Sequence, residues 1–187
     1  VSREELESLS PEYQRFGCSP SMNIYDDVPS VRADGVNPLD YRFRAAGGHI
    51  HMGFSVAKEN IPTFVGMLDL LVGNTCVLLD RDEGNIERRK MYGRAGEYRT
   101  PKHGIEYRTP SNFWLQSPEL ASFVLGMVRL AASLYVHDKN NGYIKEFTSV
   151  VRTDDIRNAI NCNDYTLARA NFEKILPLLQ QVLPTTS

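Results

Sequence analysis

The segment Ala95–Thr109, AGEYRTPKHGIEYRT, constrains this chain more than any other. Two short runs of alternating character flank the turn-forming TPKHG, a pattern that predicts a β-hairpin. Side chains alternate across a strand, so Glu97 and Arg99 share one face of the first run. In the second run Glu106 and Arg108 share one face, and Ile105 and Tyr107 share the other. A chain committed to this hairpin is committed to an antiparallel sheet with one charged face. Upstream, Tyr41–Phe54 also reads as a strand. Its alternation places His49, His51 and Gly53 on one face and Ile50, Met52 and Phe54 on the other, toward a core.

The rest of the chain reads mainly as helix. Ser2 and Glu5 have capping-box spacing. Residues 29–40, PSVRADGVNPLD, read as a loop. Ile61, Phe64, Val65, Leu68, Leu71 and Val72 recur at helical spacing, with Pro62 suited to a first turn. Residues 80–90, DRDEGNIERRK, read as a polar loop. Ser117-Pro118-Glu119 is a strong helix start, and the apolar run from it ends near His137. Two further helices fill the stretch after Thr153, the second kinked or interrupted at Pro177. These elements predict one α+β domain over residues 1–187, with a mainly antiparallel sheet and helices packed on one face. The sheet is expected to be partial.

Bulk properties exclude several classes. With 187 residues and a net charge of -2, nothing draws the chain to nucleic acid. Cys18, Cys76 and Cys162 are odd in number and scattered, which suits a reducing, cytoplasmic setting better than a disulfide scaffold. No continuous apolar run reaches membrane-spanning length, so no membrane association is expected. The first residues lack the apolar core of a signal peptide. The chain opens on valine and is expected to be the C-terminal portion of a longer protein. No P-loop, G-x-G-x-x-G, HExxH or G-x-S-x-G motif is present.

Three features could carry chemistry. His49-x-His51 sits among Gly47, Gly48 and Gly53, and bare glycines let a ligand or another backbone approach closely. The pair is either a partly exposed structural feature or part of a mixed metal-ligand set. Between residues 88 and 108 lie five arginines (Arg88, Arg89, Arg94, Arg99 and Arg108) interleaved with glycine and tyrosine. Such a run is a solvated charged surface or, given two arginines inside strands, an anion site. Glu106 is a salt-bridge partner of an arginine or a metal ligand on the histidine wall.

The segments RAAGGHIHMGF and YGRAGEYR…GIEYRTPSNFWL, with FGCSPSMN upstream, together resemble the phage-encoded COOH–NH2 ligase type, related to glutamine synthetase and glutamate–cysteine ligase. The resemblance covers residues 16–115. It implies a glutamine synthetase-like catalytic domain and an ATP-dependent carboxylate–amine ligase. In such an enzyme a carboxylate is activated as an acyl phosphate and an amine displaces the phosphate. By position, His49 and Glu106 match metal ligands for Mg2+ or Mn2+, and His51 matches a nucleotide contact. Arg94 and Arg99, five apart, match the pair that holds nucleotide phosphates and the transferred phosphoryl group. Arg108 and, less closely, Arg89 match substrate contacts. The implied substrates are small-molecule or peptide carboxylates and amines. The resemblance also implies a homo-oligomer or association with a missing N-terminal segment, in the host cytoplasm if the chain is phage-encoded.

One departure stands out. Further metal-binding glutamates expected before the histidine motif are not visible, and Ser19 and Ser21 stand where relatives often carry acids. A catalytically incomplete remnant that binds a nucleotide or other anion is therefore the alternative. A zinc hydrolase built on His49 and His51 is the third reading; it lacks a nameable third ligand.

Overall fold

The computed structural model describes residues 2–11, 21–26, 37, 39, 46–137 and 142–183. Four short strands form one antiparallel sheet: β1 (Met22–Asn23), β2 (Ile50–Met52), β3 (Glu97–Arg99) and β4 (Ile105–Tyr107), in the order β1-β3-β4-β2. The hairpin forms as its alternation requires, with Tyr98 opposite Tyr107 and Arg99 opposite Glu106. In β2, Ile50, His51 and Met52 face Tyr107, Glu106 and Ile105. Partners directly opposite each other share a face. Ile50, Met52, Ile105 and Tyr107 therefore form the buried apolar side, and Arg99, Glu106 and His51 form the other.

The expected strand over 41–54 is shorter in the structure. Only Ile50–Met52 is strand, Gly47 makes a single bridge to Ser111, and residues 41–45 lie outside the described residues, as does nearly all of the expected loop at 29–40.

The helices are α1 (Arg3–Glu7), α2 (Ile61–Leu68), α3 (Asn74–Leu79), α4 (Gly84–Met91), α5 (Pro118–His137), α6 (Gly142–Val150), α7 (Thr153–Asn161) and α8 (Tyr165–Val182). The capping box of α1 is complete: Glu5 N–H donates to Ser2 Oγ and Ser2 N–H donates to Glu5. Ser117 Oγ likewise accepts from Leu120 N–H at the start of α5.

A π-turn, Asp69–Gly73, joins α2 to α3, and this helical run is the centre of the core. Phe64, Val65, Met67, Leu68, Leu70 and Leu71 are fully buried in it. The π-turn admits one extra residue per turn, so Asp69 also points inward. Its Oδ1 accepts from Tyr107 Oη at 2.7 Å, joining the core helix to β4. Helix α8 packs along α3 and α7.

Three expectations need correction. Residues 80–90 are not a loop, because α4 occupies 84–91. Pro177 does not interrupt α8, which runs continuously from Tyr165 to Val182. And two helical runs, Lys58–Leu79 and Pro118–His137, are long and apolar enough to cross a membrane by length and composition. A helix tolerates a few polar residues that break a continuous apolar run. The first of the two is the core helix. In the second, Phe123, Leu125 and Val136 are exposed.

Candidate active site

Glu106 is the centre of the charged face. Its Oε1 accepts from Arg99 Nη2 at 2.8 Å and lies 3.0 Å from His49 Nδ1 and 3.3 Å from Arg108 Nε. Both Glu106 and Arg108 are buried, at 3% and 1% exposure. Burial alone would raise the Glu106 carboxyl. The Arg99 hydrogen bond and the charges of Arg99 and Arg108 outweigh it and hold the group below the ordinary carboxylate range.

His49 is pushed down to about 4 by burial first and then by the charge of Arg108, against the pull of Glu106. It is therefore neutral at pH 7. A neutral imidazole facing a carboxylate must carry its proton on that side, so Nδ1–H donates to Glu106 and Nε2 keeps the lone pair. Nε2 is buried and has no hydrogen-bond partner among the described residues. The ring covers the bare side of Gly47, where a Cβ would stand 2.5 Å from Nε2. Gly48 serves a different purpose. Its N–H donates to the Pro110 carbonyl, and a Cβ there would stand 1.9 Å from the Ser111 carbonyl oxygen. The glycine pair thus admits one imidazole and one backbone.

Helix α4 supplies a residue that sequence reasoning did not assign. Arg88 is buried; its Nη2 donates to the Thr109 carbonyl and its Nε to Asn85 Oδ1. Asn85 donates in turn to Asp80, which also accepts from Ser111 Oγ. Glu97 and Asp80 answer the Arg88 charge. Gly93, with φ +82°, closes over it, and a Cβ at that position would stand 2.0 Å from Arg88 Nη1. Tyr92 lies at the middle. Its ring meets His49 edge-on at 5.6 Å, with Arg88 and Arg108 at 5.4 and 5.7 Å from its centroid. The only signal for Arg88 was its place in the arginine run, which the loop reading of 80–90 left unoriented.

The candidates thus separate into two groups. His49, Glu106, Arg99 and Arg108 converge. Arg89 and Arg94 do not join them; they line an open cleft with Ile86, Lys90 and Asn161. Arg94 and Arg99 diverge because the chain turns between them at Gly96, which has a positive φ of +81°. His51 is exposed and stacks on His103 of the hairpin turn, with 6.1 Å between centroids. Arg108 reaches Ser21 Oγ as well as Glu106. With 1% exposure it is closed to direct contact with a ligand.

The fit to a divalent metal is limited. His49 Nε2 is a suitable nitrogen donor. Glu106 Oε1, however, is already engaged by two guanidiniums and an imidazole. Among the described residues no group of three histidine, cysteine or acidic side chains could hold a metal ion. These residues do not by themselves make the metal set that the resemblance implies. Cys76 is buried and its thiol is pushed up to about 12, which removes it as a nucleophile.

Arg99 keeps a partly exposed guanidinium at the edge of this wall, next to the Glu106 carboxylate. That arrangement suits an anionic oxygen, from a carboxylate or a phosphoryl group, docking at Arg99. No curated protein and no solved structure matches the chain. A family model does match residues 30–151, a span that holds the whole of this wall except Ser21, and the chain accordingly belongs to the phage phiEco32-like COOH.NH2 ligase-type 2 family.

Proposed function

We propose that the chain is an ATP-dependent carboxylate–amine ligase working through an acyl phosphate. The observation that carries this reading is the convergence of Arg99 and Arg108 on Glu106 beside His49. A carboxylate is a poor electrophile because its leaving group would be an oxide. Transfer of the γ-phosphoryl group to a carboxylate oxygen gives it phosphate as a leaving group. The amine nitrogen then attacks the acyl carbon, the C–O bond to phosphate breaks, and the nitrogen loses a proton. Two anions must meet in the first step, so preorganised cations lower its barrier.

In this reading Arg99, the partly exposed guanidinium, contacts the carboxylate or phosphoryl oxygens. Glu106 fixes its direction, and buried Arg108 keeps Glu106 ionised. Tyr92 and His49 close the wall behind them. No step is drawn through a metal ion, since the described donors do not make its site. The incomplete donor set favours a second reading, a ligase-like chain that binds a nucleotide or anion without turnover.

Hydroxylamine trapping separates the two. With ATP and a panel of amino-acid and peptide carboxylates, a ligase yields a hydroxamate and stoichiometric phosphate. Arg99→Gln abolishes both while leaving the fold intact. Nucleotide binding with no phosphate release from any acid overturns the ligase reading and supports the binding one.

A further inference from the structure

Consecutive arginines of α4 go to different places. Arg88 turns to the wall, whereas Arg89 turns away and donates to Asn163 Oδ1 at 2.8 Å. On that side lies an open cleft of about 370 Å³, lined by Ile86, Arg89, Lys90, Arg94 and Asn161. Three of these five residues are cations and none is an acid. Lys90 is partly answered by Glu87 on the same helix. Arg89 and Lys90 stand in the last turn of α4, where cations also answer the helix dipole. That explanation does not extend to Arg94, which lies beyond the helix end. Arg94 is half-buried and its guanidinium makes no hydrogen bond or ion pair with the described residues; its carbonyl accepts from Thr109 Oγ1 and Glu97 N–H. Asn161 Oδ1 accepts from Ala95 N–H at 2.9 Å, so its amide NH2 is the end left to donate toward a ligand.

We propose that this cleft is a second anion site, separate from the Glu106 wall, for a compact polyanion of the phosphate class. Arginine forks match the spaced oxygens of a phosphate better than they match a single charge. The Arg94 guanidinium, unpaired among the described residues, supplies one such fork, and the charges of Arg89 and Lys90 stand beside it in the lining. The two sites share helix α4 as their partition.

Titration calorimetry of the full chain with inorganic pyrophosphate tests the assignment. A binding event is expected that Arg94→Gln weakens at least tenfold and that Arg99→Gln leaves unchanged. Asn161→Asp keeps the acceptor for Ala95 N–H but places a negative charge in the cleft; it weakens the same event at least tenfold. Lys90→Glu, at an exposed position, serves the same purpose if either variant fails to fold. No pyrophosphate binding by the unaltered chain overturns the proposal. So does a single event lost equally in Arg94→Gln and Arg99→Gln. If the wall binds no anion, Arg99→Gln has no effect while the Arg94-dependent event persists, so this inference and the ligase reading fail separately.

Discussion

Replacing Glu106 by glutamine keeps the shape of the side chain and removes its charge. Arg108 is then a buried cation, 1% exposed, facing an amide. Removing one partner of a buried ion pair costs roughly 3–5 kcal/mol, because a buried charge loses its counter-ion; Arg108 keeps its bond to Ser21 Oγ. The Arg99 contribution is smaller, since that side chain is 31% exposed and its pair is screened, worth about 0–1 kcal/mol. A total of roughly 3–6 kcal/mol is a large share of the 5–15 kcal/mol typical of a folded chain. It lowers Tm by roughly 6–24 °C at about 2–4 °C per kcal/mol. The assay is thermal unfolding by circular dichroism at pH 7, followed by the same measurement on acidification. Glu106 has its folded pKa below the ordinary 4.5. Its contribution is therefore fully present above 4.5 and is lost as pH falls through the folded value, so the gap between the parent and Glu106→Gln must close with acid. Glu106→Gln/Arg108→Met, which removes both charges, recovers most of the loss. A Tm within about 2 °C of the parent, or a double variant no better than the single one, refutes the buried-pair account.

Two more outcomes follow from the same wall. His49 is held at about 4 against an ordinary 6.5, so the unfolded chain binds a proton that the folded chain refuses between those values. Its share of stability is whole above 6.5 and falls away as pH drops from 6.5 to 4; His49→Gln flattens urea-midpoint profiles in that window, and an unchanged slope contradicts the assignment. Gly48→Ala drives a Cβ to 1.9 Å from a backbone oxygen that cannot yield, whereas Gly53→Ala meets nothing within 4 Å. The first lowers stability by about 1–3 kcal/mol or more and the second is near neutral; equal melting temperatures for the two reject the close-approach reading of the glycine pair.

The elements that periodicity reveals are those whose stability comes from one apolar face. The hairpin and β2 are legible because Ile50, Met52, Ile105 and Tyr107 alternate with polar residues. The core helix and α5 are legible from their caps and spacing. Helix α4 is not, because its only apolar residues are Ile86 and Met91, and Ile86 is exposed. What holds α4 is polar: the bonds of Asn85 to Asp80 and of Arg88 to Thr109. Asp69 is hidden for the converse reason. Burial raises its carboxyl to about 7, against the hydrogen bond from Tyr107, and only the π-turn explains how an acid occupies an apolar face.

For the site, alternation within a strand predicts geometry and linear spacing outside one does not. Arg99 and Glu106 lie on one face because the hairpin register requires it. Arg94 and Arg99 look like a pair in the sequence, yet a turn at Gly96, a glycine at positive φ, separates them. His51 stands opposite Glu106 in register, but the imidazole that bonds the carboxylate is that of His49. Cross-strand register fixes which backbones are neighbours; side-chain direction and the space that Gly47 leaves decide which imidazole turns inward. Once His49 is inside it cannot share a positive charge with Arg108, so it is neutral and adds nothing to the charge count. Around the wall three guanidiniums, of Arg88, Arg99 and Arg108, then stand among three buried carboxylates, of Asp80, Glu97 and Glu106. Arg99 is the partly exposed member of this group, so it is the cation placed to meet an arriving anion.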